Sequence, residues 1–149
     1  MRYKYGILVI LMVLLLSGCE SEATQTVVNK PIVVVDDVYS IEEDYYQAFE
    51  FEVTRSSDLI IDIISKSSVN FEILIFDKVG YLQYKQNETD NTTVFLQELV
   101  AANGSFYKTL SVEEGKYYFV VDNTDFGLIS PPFNFVSDDV ICELILTLE

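Results

Sequence analysis

The chain contains no histidine among its 149 residues. Histidine is the side chain whose ordinary pKa lies near neutrality, so its absence removes the commonest general base. With it go the Ser-His-Asp and Cys-His constellations and every imidazole metal site. Carboxylates and hydroxyls remain, and a carboxylate pair can hydrolyse a glycoside. No short motif, however, singles out two of the 24 acidic residues, so no catalytic role is expected, with a carboxylate-dependent hydrolase the lesser alternative. Basic residues are scarce too: 9 against those 24 acids, for a formal charge of −15. A field of that sign repels phosphate backbones and anionic headgroups, which excludes nucleic acid and favours cations or basic proteins as partners. Amphipathic helical patterning is also missing, apart from residues 93–102, where Phe95, Leu96, Leu99 and Val100 satisfy a helical period as well as a strand.

Cysteine occurs twice, at Cys19 and Cys142. Cys19 closes an N-terminal segment in which Arg2 and Lys4 precede an apolar run over residues 7–16. That run has the length of a secretory h-region and is too short to span a bilayer. Leu16-Ser17-Gly18-Cys19 resembles the lipobox of prokaryotic lipoprotein precursors: a bulky apolar residue, two small ones that enter a peptidase cleft, and a thiol that takes the lipid. The resemblance implies cleavage before Cys19, a diacylglyceryl group on its sulfur, and a protein held on the extracytoplasmic side of a cell membrane. Each buried methylene contributes about 0.8 kcal/mol, and two chains anchor where one binds only marginally.

The chain then divides into a signal segment over 1–18, the lipidated Cys19 with a polar tether to residue 30, and a single domain over 31–149. Loss of Arg2 and Lys4, with no acid lost, makes the mature charge two units more negative than −15, or −17. With Cys19 lipidated, Cys142 has no intrachain partner, so no disulfide staples the domain. Cys142 shares strand parity with Val140, Leu144 and Leu146 and is expected to be a buried, inert thiol.

Within the domain, β-branched and aromatic residues alternate with turn signals. The pattern predicts strands over 32–35, 45–54, 59–65, 71–77, 81–85, 94–100, 106–112, 116–121 and 140–148, with turns at Arg55-Ser56-Ser57-Asp58, Val79-Gly80, Ala102-Asn103-Gly104 and Glu113-Glu114-Gly115. Eight or nine short strands imply an all-β, antiparallel β-sandwich of jelly-roll type. The strand Phe71-Glu72-Ile73-Leu74-Ile75-Phe76-Asp77, a loop, and the late Gly115-Lys116-Tyr117-Tyr118 strand together resemble the pre-peptidase C-terminal family of β-sandwiches. That resemblance implies a non-catalytic accessory module, here following a tether and not a peptidase.

Calcium takes six to eight oxygens, and acidic loops at one end of a sandwich can supply them. Asp122, Asp125, Asp138 and Asp139 are the candidate ligands, and Asp36-Asp37 forms a further acidic cluster; the spacing after Asp122 does not fit an EF-hand. The competing account is solvated turns, with Asp122 and Asn123 in an Asx-type turn. Asn87, Asn91 and Asn103 each begin a glycosylation sequon, in a region rich in turn residues anyway. Residues 126–135 set apolar side chains around Pro131-Pro132, as a loop capping the core or as an exposed lip. The expectation for function is a lipid-anchored, extracytoplasmic module with a binding or spacing role, its alternative partners being a cation, chiefly calcium, a glycan or a basic protein.

Overall fold

The computed structural model describes residues 30–86, 94–124 and 138–149. Among the described residues eight strands run β1 (Ile32–Ile41), β2 (Tyr46–Val53), β3 (Ser57–Ser65), β4 (Phe71–Asp77), β5 (Val94–Val100), β6 (Ser105–Val112), β7 (Gly115–Asp122) and β8 (Val140–Leu148), with one helix, α1 (Lys78–Lys85), after β4. They form two four-stranded sheets, ordered β1-β8-β3-β6 and β2-β7-β4-β5, with every pairing antiparallel. Only β4 and β5 are both consecutive and paired; the other connections cross between sheets. That is the jelly-roll order, so the fold class expected from the sequence is the one observed.

Period-two patterning builds the core. In β3, Leu59, Ile61 and Ile63 are fully buried while Asp58 and Ile64 are exposed. In β8, Val140, Cys142, Leu144 and Leu146 are fully buried, as their shared parity predicts. These side chains meet Phe51, Val53, Ile73, Ile75, Phe119 and Val121 from the other sheet. Each fully buried Val, Leu, Ile or Phe contributes roughly 1.5–3 kcal/mol of transfer free energy, the main source of stability where no disulfide exists.

Two sequence expectations are corrected, and one ambiguous stretch resolves as the strand expected over 94–100. Residues 81–85 form the second half of α1, and Val79-Gly80 lies inside its first turn. Asp77 Oδ1 accepts from the Gly80 N–H at 2.7 Å, capping the helix. Tyr84 and Gly80 then bury against β4 and β7, so tertiary packing overrides the strand propensity of Tyr81-Leu82-Gln83-Tyr84. The 93–102 stretch contains a strand: Leu96 and Val100 enter the core while Phe95 and Leu99 are half exposed, a division between two faces that a helix does not produce. Finally, β1 continues through Asp36-Asp37 to Ile41, so that acidic pair lies in an exposed strand segment rather than in a loop.

Candidate functional site at the far end of the sandwich

The chain enters β1 at one end of the sandwich, the near end. The connections 42–45, 66–70 and 101–104, with residues 123–124 after β7 and 138–139 before β8, gather at the other, the far end. Asn123 organises the far end. Its Nδ2 donates to the Ile41 carbonyl at 3.2 Å and to the Asp138 carbonyl at 2.9 Å, tying the end of β7 to β1 and to the start of β8 in the opposite sheet. Its backbone carbonyl accepts from the Asp44 N–H at 2.9 Å, and its own N–H donates to Tyr45 O at 3.1 Å. Asp44 sits at φ 66°, a left-handed conformation that Asp tolerates better than most residues. The Thr124 N–H donates to Asp122 Oδ1 at 3.0 Å, the Asx turn expected from the sequence.

Three of the four candidate calcium ligands, Asp122, Asp138 and Asp139, lie among the described residues, and Asp122 turns away from the other two. Asp122 is the last residue of β7, cross-strand to Tyr46 on one side and to Glu72 on the other, so all three side chains share the sheet face opposite the core. That face is covered by α1, and both acids are almost wholly buried: Asp122 is 3% exposed and Glu72 2%. Tyr84 lies beside Asp122, its ring packed on Tyr46 and Phe76 with centroids 5.2 and 5.1 Å apart. Burial pushes the Asp122 carboxyl above its ordinary range, with Thr124 and Tyr84 pulling the other way. Burial, and then the charge of Asp122, pushes the Tyr84 hydroxyl up. The two groups feel each other's charge, yet among the described residues neither Asp122 Oδ2 nor the Tyr84 hydroxyl reaches a partner at hydrogen-bonding geometry. Gln97 Nε2 approaches Glu72 Oε1 at 3.4 Å.

Asp138 and Asp139 lie partly buried just before β8, with the Asp138 carbonyl held by the Asn123 amide, and Asp125 lies outside the described residues. Among the described residues no three carboxylates, thiols or imidazoles gather closely enough to hold a metal ion. The structure thus brings Asp138 to the end of β7 but turns Asp122 beneath the helix. Glu72, the other buried acid, was missed by sequence reasoning. Its signal was its place in a strand whose apolar residues occupy both faces, so an acid there had to be covered.

The remaining candidates are scattered. Asn103 is exposed at φ 51° in the β5–β6 turn, its N–H donating to Ser67 O at 3.0 Å; Asn87 and Asn91 lie outside the described residues, as do Cys19 and residues 126–135. Cys142 is fully buried, and desolvation raises its thiol to about 11. On the outer face of the β2-β7-β4-β5 sheet, Tyr118 donates to Glu50 at 2.8 Å and Lys116 reaches the same carboxylate at 2.7 Å. These two bonds hold Glu50 below the usual carboxylate range. Tyr118 stacks on Tyr81 at 4.2 Å, with the Lys85 ammonium 4.9 Å from the Tyr81 ring, so the two rings serve each other rather than offering a platform. A near-end cleft of about 220 Å³ mixes Lys30 and Arg55 with Glu52 and Glu149, which leaves it no net charge to select an ion.

No protein-family model matches the chain, and neither does any curated protein. Among solved structures, its path is similar to that of the pre-peptidase C-terminal domain of a collagenase from Bacillus anthracis: 14% identity, TM-score 0.47, covering 75% of this chain and 89% of that one. It is also similar to a carbohydrate-binding module in complex with calcium and xylotriose, at 6% identity and TM-score 0.40, covering 81% of this chain and 100% of that one. The first is the type of module that the Gly115-Lys116-Tyr117-Tyr118 pattern resembles. Neither likeness carries the fold assignment, which rests on the strand order.

Proposed function

We propose that this protein is a lipid-anchored, extracytoplasmic jelly-roll module that binds a partner and performs no catalysis. One observation carries the reading. The polar stretch after Cys19 leads into β1 at the near end, while Asn123 assembles the connections at the opposite end. A lipid on Cys19 therefore places the near end toward the membrane and presents the far end and the sheet faces to the surroundings. The charge supports the same arrangement: a chain this acidic is repelled by anionic headgroups, so the contact with the bilayer falls to the lipid. Cys19→Ser is the test. The variant is expected to leave the membrane fraction, as soluble or uncleaved protein, while the wild type stays. Equal membrane retention of both would overturn the anchor.

A second reading, weak calcium binding at the far end, is favoured by one observation: the Asn123 amide draws the Asp138 carbonyl to the end of β7 at 2.9 Å, bringing acids from two sheets to one corner. A cation there would draw on Asp138, Asp139 and neighbouring carbonyls, with Asp125 adding a ligand and Asp122 acting chiefly through its turn.

A further inference from the structure

The outer face of the β1-β8-β3-β6 sheet has no described element packed on it; α1 packs on β4 and β7 of the other sheet. Register places Asp36, Ile145, Asp62 and Tyr107 in one row across the four strands. The next row toward the far end begins Val38, Glu143, Ile64. Acid and aliphatic residues alternate along each row and also between rows, giving a checkerboard. Rows lie about 6.8 Å apart and neighbouring strands about 4.8 Å apart, so every carboxylate abuts an aliphatic side chain. The apolar side chains are accessible: Val38 is 53% exposed, Ile64 47% and the aromatic Tyr107 66%, with Ile145 half-buried between its neighbours. Glu143 already pairs with Lys66 at 3.2 Å, whereas Asp36 and Asp62 have no ion-pair partner among the described residues.

We infer that this face docks a cationic, amphipathic protein segment in which Lys or Arg alternates with apolar residues. Long basic side chains have apolar stems and charged heads, so a stem can lie over Ile145 or Ile64 while its head reaches Asp36 or Asp62. The same checkerboard disfavours the other occupants. A second copy would set carboxylate against carboxylate, and an anionic membrane would be repelled. The inference rests on the binding-module reading but not on the lipid anchor.

The test uses the full chain in a non-ionic detergent and a fluorescein-labelled dodecapeptide of alternating lysine and valine, followed by fluorescence anisotropy at low ionic strength. Asp36→Asn with Asp62→Asn is expected to weaken binding about tenfold, as loss of two exposed ion pairs implies. A peptide with serine in place of valine should also bind more weakly. Glu42→Gln with Glu114→Gln, which removes the same charge at the two ends, should leave binding unchanged. Circular dichroism confirms that each variant folds. Equal weakening by the Glu42/Glu114 variant would reduce the effect to net charge and overturn the proposal, as would no weakening by the Asp36/Asp62 variant or self-association through this face. Failure of the anchor would appear in membrane fractionation and leave these titrations untouched.

Discussion

Asp122 is a carboxylate held where a carboxylate is costly. Its folded pKa is raised above the ordinary 3.8 by burial, so the folded state binds its proton more tightly than the unfolded chain does. Stability from this group is therefore fully present below the unfolded pKa and is lost as pH rises through the folded value. Asp122→Asn keeps an oxygen to accept the Thr124 N–H and removes the buried charge. The variant is expected to be more stable than wild type in urea melts at pH 7, with the difference shrinking as pH falls toward 4. A difference independent of pH would show that folding does not raise the Asp122 pKa. Cys142 gives a second residue-scale expectation. A fully buried thiol with its pKa pushed to about 11 should react slowly with a thiol reagent at pH 8 and rapidly in denaturant. Equal rates would place it at the surface. Its burial was legible from parity alone, because Val140, Cys142, Leu144 and Leu146 fall two residues apart. That of Glu72 was less so, since it depends on what packs over the outer face of β4 and not on the local pattern.

At the scale of elements, α1 is the one helix among the described residues, and it shows where local patterning stops being informative. Eight residues are too few to form a stable helix by propensity, so α1 depends on its cap and on the face it buries. Asp77→Ala removes the acceptor for the Gly80 N–H and should cost about 1 kcal/mol in chemical denaturation. Tyr84→Ala, which empties the small core of Leu74, Phe76 and Val120, should cost about 3–5 kcal/mol. If Tyr84→Ala cost no more than Asp77→Ala, the helix would not be anchored by its buried face. The strands were readable because hydrophobic alternation is local. The helix was not, because its partner is the second face of β4 and β7, and nothing in residues 78–85 declares that this face needs covering. The joining of Asn123 to Asp138 is similarly non-local, since it spans two sheets.

At the scale of the molecule, the acidic charge that excluded nucleic acid also shapes stability, because folding concentrates carboxylates that repel one another. A divalent cation bound only by the folded state raises stability by RT ln(1 + [L]/Kd), about 2.7 kcal/mol at a hundredfold excess over Kd. Calcium is expected to raise the melting temperature beyond sodium chloride of matched ionic strength, and Asp138→Asn with Asp139→Asn should abolish that excess. Equal midpoints in the two salts would leave only diffuse screening. The strands follow from alternation and turn spacing in the sequence, whereas the proposed presentation of the far end depends on the proposed lipid tether at Cys19. That tether makes Cys19 the hinge of the functional account. The most direct measurement is the intact mass of the mature protein from its native membrane, with fragmentation of its N-terminal peptide. The account predicts a chain beginning at Cys19 that carries a diacylglyceryl group on its sulfur; an unmodified Cys19, or a chain beginning elsewhere, would contradict it.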